Sequence, residues 1–523
     1  MKIKLPNELF ANIKKNISNM DKYAFLSSLI MGFVTHMYYI TNHFPNADTN
    51  LNPDLYSDLS GWMICIGRWC AGLFDRMSSN FILPWVTGVI SILLLSCVAV
   101  IIVRMFDIEN RISIFIVSAS IITFPSIMTN LGYIEWGDPF MFSYLFAVLA
   151  IYIADVADRF WKLCIASIIL AISMGIYQSF ICTSVVLCLL LLLKYLLDSD
   201  TKILDIVRQG GKYLFIGVFG SLVYFLMWKV TLFITKLEPA DYKGLTDYNN
   251  YKISEVMRNI LESYVFMFKY YFTNEIWHNP AYKIVAYFIL LVIFAIFLLA
   301  ILKNKKIYTD KKKSFAIIIV LLLLPIGYGF IKIIAPKAEV SPLTIENLSL
   351  FILMVFLLFE KIDFSNNYLN IMKWCTILCS ALIIYSNILT CNIGYVNLQL
   401  QYEKSYACMQ RIMNSIYSNG YSEKEIPIYI SGNILGNNVD STVPMQKEYL
   451  KGLELVEGDV SIYNTMYAKA AFINTYLGLN INYPDDNTQK NIELTEEFKK
   501  MPVYPKQGSI AEINNVLVVK MSD

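Results

Sequence analysis

The chain has 523 residues, of which 56% are hydrophobic and only 16% are charged, with a mean hydropathy of +0.50. So little charge cannot cover the surface of a soluble protein of this length, and a net charge of +2 excludes the concentrated basic face of a nucleic-acid binder. Three His and no Cys-x-x-Cys pair exclude the common zinc modules.

The pattern is that of an integral membrane protein. Lys2, Lys4, Lys14, Lys15 and Lys22 precede a first apolar run at 23–40. That run is longer than a signal-peptide core and has no Ala-x-Ala-like site after it, so it reads as a retained helix. Runs of spanning length follow at 82–103, 112–128, 139–156, 161–177, 179–197, 213–234, 281–302, 315–334, 343–360 and 371–391. Eleven spans are therefore expected, the pair at 161–197 being divided only by Tyr177-Gln178. With the N-terminus inside, cytoplasmic segments hold 20 Lys and Arg against 8 in the loops on the other side. The positive-inside rule then places the N-terminus in the cytoplasm and everything after about residue 391 outside. Most of the ten Cys lie in apolar runs and read as small buried hydrophobes, while Cys391 and Cys408 are close enough in sequence to pair.

Two outer loops, 41–81 and 235–280, carry amphipathic stretches at 59–74 and 254–271 that suit helices at a membrane surface. The tail, 392–523, is polar and rich in turn residues. Its helical periodicity at 400–418 and 445–479 and its strand-like segments IPIYISG (426–432) and NNVLVVKMS (514–522) predict a small α/β domain. The expected organisation is thus a membrane domain, 1–391, with outer loops 41–81 and 129–138, and an extracytoplasmic domain, 392–523. No internal repeat, P-loop or Gly-x-Ser-x-Gly is present.

Candidate chemistry sits at the outer edge. The first loop, HFPNADTNLNPDLYSD, offers Asp48, Asp54 and Asp58. The short loop TNLGYIEWGDPF offers Glu135 and Asp138, which would share a face if helical. Tyr133, Trp136 and Phe140 surround that pair with aromatic surface suited to a sugar ring. Cations that could meet a lipid phosphate are Arg68, Lys229, Lys332 and Lys337. The plain alternatives are solvation for the acids and snorkelling for the cations. His36 and His43 flank the end of the first run without a third ligand in sight, and read as polar packing.

HFPNAD (43–48), GRW (67–69), LPW (83–85), GIYQSF (175–180) and the ending MPVYP…GSI…VLVVKMS (501–522), in this order, resemble the GtrII-like glucosyltransferases of bacterial membranes, best known for adding glucose to O-antigen. The resemblance runs from about residue 20 to the C-terminus. It implies a GT-C architecture and an inverting transfer from undecaprenyl-phosphate glucose to a surface glycan, at the outer face of the bacterial cytoplasmic membrane. It places Asp48 where the family keeps an acid, and Glu135 and Asp138 where such enzymes often hold a second acidic site. Many relatives read His-Asp-Gly where this chain has Ala47-Asp48-Thr49, a departure that bears on loop geometry. On this reading Asp48 is the general base, Glu135 and Asp138 orient the acceptor or a cation such as Mg²⁺ or Mn²⁺, and Arg68 and Lys332 hold the phosphate. The competing expectation is a flippase or transporter of lipid-linked saccharides, which would keep charges in mid-span.

Overall fold

A computed structural model describes residues 17–52, 55–57, 61–75, 77, 80–242, 253–335, 340–362, 367–422, 425–434, 448–453 and 462–523. The chain is mostly helical, at 72%, with a small sheet near the C-terminus. Among the described residues seven helices are long and apolar enough to cross a membrane: Asn19–Ile40, Pro84–Met105, Gly137–Asp155, Gln178–Leu196, Ile203–Thr235, Ala281–Asn304 and Asn367–Ser418. Arg111–Ile122 and Pro125–Gly132 make an eighth if counted as one span bent by 42°. The bend falls where Pro125 opens a new helix and holds the preceding Phe124 out of helical geometry, at φ −65° and ψ 133°.

The other apolar runs are also helical. Phe160–Ile176 and Glu346–Phe359 are shorter than a full span, and Lys311–Tyr328 opens on three lysines. Between Phe160–Ile176 and its successor, Tyr177 is extended at φ −153° and ψ 113°, so the run at 161–197 is two helices. Helix starts follow local chemistry. Ser18 and Asp21 form a reciprocal capping box at the start of Asn19–Ile40, and Asn110 and Asp310 cap their helices through side-chain oxygens.

The two amphipathic stretches fold differently. The second is one helix, Ile253–Phe272. It turns Met257, Leu261, Val265 and Phe268 outward and buries Asn259 and Ser263. The first is not a single helix: Trp62–Cys65 and Ala71–Asp75 are separated by a turn. Gly67 is the cause, with φ +86° and neighbours so close that a Cβ would lie 2.4 Å from the Tyr224 hydroxyl.

Near the C-terminus, β1 (Ile428–Ser431), β2 (Ile510–Ile513) and β3 (Val516–Lys520) form a sheet in the order β1-β3-β2. β1 runs parallel to β3, with Ile430 opposite Val519, and β2 pairs antiparallel, with Ala511 opposite Val518. The β2–β3 turn is Asn514-Asn515, both at positive φ, the geometry that a two-residue hairpin favours. Central β3 is buried along its length.

One continuous helix of 52 residues, Asn367–Ser418, serves two hydrophobic cores. Its Ile383, Tyr395 and Leu398 pack into the helical bundle. Its Met409, Ile412 and Ile416 pack against the sheet and the Met466–Leu477 helix. Cys391 and Cys408 sit on this helix as free thiols. His36 is held by the Tyr395 hydroxyl at 2.7 Å and the Ile122 carbonyl at 2.8 Å, a packing role. The tail closes onto the first loop: His43 Nε2 lies 2.9 Å from the Tyr476 hydroxyl, and the Tyr467 hydroxyl donates to the Leu51 carbonyl at 3.1 Å.

Candidate functional site

Two of the motifs pack as one unit. The Gly67 turn brings its backbone against Gln178, whose Nε2 donates to the Ile66 carbonyl at 2.9 Å. The Cys70 amide donates to the Gly175 carbonyl at 2.8 Å, and a Cβ on Gly175 would lie 2.5 Å from the Trp69 ring. GRW therefore seats in the helix break of GIYQSF. The seating holds Arg68 with its guanidinium carbon 4.7 Å from the Tyr177 ring centroid and 5.9 Å from that of Tyr242. Arg68 Nε is buried without a hydrogen-bond partner, and among the described residues no carboxylate pairs with this guanidinium.

Asp48 is placed by the loop that follows the Asn19–Ile40 helix. Asn46 donates to the Gly132 carbonyl at 2.7 Å and accepts from the Thr49 amide at 2.8 Å, which fixes the turn around Asp48. The Tyr463 hydroxyl, from the tail, donates to Asp48 Oδ1. Thr49 Oγ1 donates to Glu135 Oε2 at 2.7 Å, joining the two acidic loops.

Glu135 and Asp138 do not share a helical face, because only Asp138 falls inside the Gly137–Asp155 helix and Glu135 sits in the turn before it. Both are buried; Asp138 has no solvent exposure, and neither of its oxygens has a partner on another residue. Burial pushes Glu135 up to about 8 against the opposing hydrogen bond from Thr49, and the nearby Asp48 and Asp75 charges push the same way. Asp75, at the end of Ala71–Asp75, is itself pushed up to about 7 by burial.

Asp48, Arg68, Tyr133, Trp136, Tyr177 and Tyr242 line one cavity of about 460 Å³. Glu135 and Asp138 stand behind its wall. The structure does not bring the expected lysines to it. Lys229 is exposed, 5.7 Å over the Trp228 ring. Lys332 is half-buried beside Ile331 and Ile333, which line the cavity while Lys332 does not. Lys337, Asp54 and Asp58 lie outside the described residues. Among the described residues no three His, Cys, Asp or Glu come together as a group that could hold a metal ion.

From the cavity an apolar groove of about 600 Å³ continues between the Ile181–Leu196 and Ile203–Thr235 helices, with Ile181, Ser221 and Phe225 common to both walls.

Sequence reasoning missed several of these residues. Asp75 closes an otherwise apolar helix, AGLFD, and that contrast was the available signal. Glu346, buried beneath the cavity wall, accepts from Ser126 Oγ at 2.9 Å and Asn130 Nδ2 at 2.5 Å. An acid within an apolar run is itself a functional flag. Tyr177 lay inside the GIYQSF motif without being singled out, and Tyr242 and Tyr463 had no local signal.

Neither the curated proteins nor the solved structures contain a match to this chain. The family model described as glucosyl transferase GtrII matches residues 37–359. That segment holds the Asp48 turn, the Arg68 turn, both buried acids of the second loop and the Tyr177 break, and it covers more than half of the sequence. The chain belongs to the GtrII glucosyltransferase family.

Proposed function

We propose that this glucosyltransferase takes glucose from undecaprenyl phosphate at the outer face of the bacterial cytoplasmic membrane and transfers it, with inversion, to a surface glycan such as O-antigen. The observation that carries the reading is that a carboxylate, Asp48, and an unpaired guanidinium, Arg68, share an aromatic-lined cavity that runs on into an apolar groove. The parts match the three chemical pieces of a lipid-linked sugar. The groove suits an isoprenoid chain, the guanidinium suits its phosphate, and the aromatic wall suits a hexose.

In the mechanism, Asp48 takes the proton of the acceptor hydroxyl as its oxygen attacks the anomeric carbon. The carbon–oxygen bond to the phosphate breaks, and the departing lipid phosphate keeps the electron pair. Arg68 stabilises the charge that grows there, in a site lined by Tyr133, Tyr177 and Tyr242. Tyr463 holds Asp48 in place. Glu135, largely protonated by burial, keeps the second loop fixed to Thr49 without adding a second negative charge beside the base.

The test is direct: incubate purified full-length protein with undecaprenyl-phosphate glucose and a panel of surface glycans, and follow glucose into the glycan by mass spectrometry. Transfer from the lipid donor, lost in Asp48→Asn, is the expected result. Movement of the lipid-linked sugar across vesicles without glycosidic transfer would replace the enzyme with a flippase.

A further inference from the structure

The tail carries a second groove, of about 960 Å³, along the end of β1 and the Met466–Leu477 and Asp486–Leu494 helices. Its chemistry is selective. Tyr467 and Tyr483 both line it and remain 46% and 39% exposed, so that two aromatic rings are open to a ligand. The wall also holds Asn464, Gln489, whose Nε2 donates to the Pro484 carbonyl at 2.7 Å, and the carboxylates of Asp486, Glu493 and Asp523, of which Glu493 accepts from Tyr429 and from Ser431 at 3.1 Å. The cation in the wall is committed elsewhere. Lys469 is buried, with Nζ donating to the Ile430 carbonyl at 2.8 Å and the Gly432 carbonyl at 2.7 Å.

An anionic ligand would therefore meet carboxylates and a lysine already engaged. A wholly apolar ligand would strand the amides and the carboxylates. Flat rings flanked by amide and carboxylate groups suit a neutral saccharide, which presents apolar C–H faces and a rim of hydroxyls.

The groove also leads to the right place. Asn464 lines it, and the preceding residue, Tyr463, has its hydroxyl on Asp48. Tyr467 lines it too, and its hydroxyl bonds the Leu51 carbonyl in the loop that carries Asp48. A chain lying in the groove thus lies beside the residues that meet Asp48 and its loop.

We infer that this tail groove binds the acceptor as a neutral oligosaccharide and feeds one of its hydroxyls to Asp48. The inference rests on the glucosyltransferase reading for the hydroxyl's fate but not for the binding itself, and the experiment separates the two. The full-length protein in detergent, without donor, is passed over an immobilised array of neutral hexose and N-acetylhexosamine oligosaccharides with uronic-acid counterparts beside them. The wild type should retain neutral members over acidic ones. Tyr483→Ala and Asn464→Ala should each weaken retention about tenfold, the usual worth of a stacked ring or a bidentate amide. Tyr483→Phe, which keeps the ring, should retain binding and controls for folding. With a retained oligosaccharide as acceptor, Tyr483→Ala should raise the acceptor KM about tenfold and leave a smaller mark on the donor KM. Retention unchanged in both alanine variants, preference for uronic acids, or no retention by the wild type overturns the groove assignment. Retention that falls as expected while the wild type transfers no glucose keeps the groove and removes the enzyme reading.

Discussion

Where the Asn19–Ile40 helix begins, Asp21 meets Arg104 at 2.6 Å, and beside it Asp107 meets Lys194 at 2.6 Å. Where the same helix ends, Arg68 faces tyrosines, Asp138 has no partner on another residue, and Glu135 has a single threonine for one of its oxygens. Both ends lie on one set of helices, so neither composition nor helix packing explains the contrast. An ion pair recovers by Coulomb attraction part of what desolvation costs, whereas a buried charge without a counterion recovers little. A guanidinium that pairs with no carboxylate among the described residues at one end of a bundle, when the other end shows how readily pairs form, fits the anionic phosphate proposed for the donor.

The contrast can be broken most strongly at Asp48. Asp48→Asn preserves shape and the bond from Tyr463 but removes the basic oxygen, and initial rates of transfer should fall by roughly 10²–10⁴. An unaltered rate would move the base elsewhere in the loop. Arg68→Ala should lower kcat/KM for the lipid donor about a hundredfold, and Arg68→Lys less, because charge survives where the planar fork does not. Equal, wild-type rates in both would leave Arg68 as an anchor for its turn. Tyr463→Phe removes one charge-assisted hydrogen bond from Asp48 and should lower kcat about tenfold, in line with about 1.5 kcal/mol.

A pH experiment sharpens the buried-acid side. Burial lifts Glu135 from 4.5 to about 8. Between those values the folded chain keeps a proton that the unfolded chain has released. The group's contribution to stability is therefore greatest below pH 4.5 and falls as pH rises toward 8, by up to ~1.4 kcal/mol per pH unit. Glu135→Gln should flatten that fall in thermal unfolding measured from pH 5 to 8. A slope that persists unchanged assigns it to another acid, with Asp75 next in line. The smallest effect belongs to the paired end: Asp21→Asn should leave transfer within about twofold and cost about 1 kcal/mol of stability, a figure kept low because Arg104 is partly exposed.

Much of the helical architecture was legible because apolar runs of spanning length have few alternatives, and each of them is helical here. Two of the three strands of the tail, β1 and β3, were legible from runs rich in β-branched residues, whereas β2 and its hairpin turn at Asn514-Asn515 were not expected. The interruption at Gly67 was not. Nothing local distinguishes a glycine tolerated in a helix from one that must adopt φ +86° against Tyr224. Asp48, Arg68, Tyr133 and Trp136 were legible as candidates because charge and aromatic surface are conspicuous in an apolar chain. Their meeting in one cavity depends on Gly175 fitting Trp69 and on Gln178 reaching Ile66, contacts made over a hundred residues of separation. Lys229 and Lys332 do not line the cavity, for the complementary reason: position along a span says how deep a side chain lies and nothing about which side of the helix it leaves from.

The Asn367–Ser418 helix has a mechanical consequence. At about 1.5 Å per residue its 52 residues extend for roughly 78 Å, and both cores are built on it. A domain mounted on such a strut, and latched to the first loop by Tyr463 and Tyr467, has little freedom to swing. The height of the tail groove above the Asp48 carboxylate is then a fixed length. On the acceptor reading proposed above, that fixed length would set the distance between the part of the glycan held in the groove and the sugar presented to Asp48.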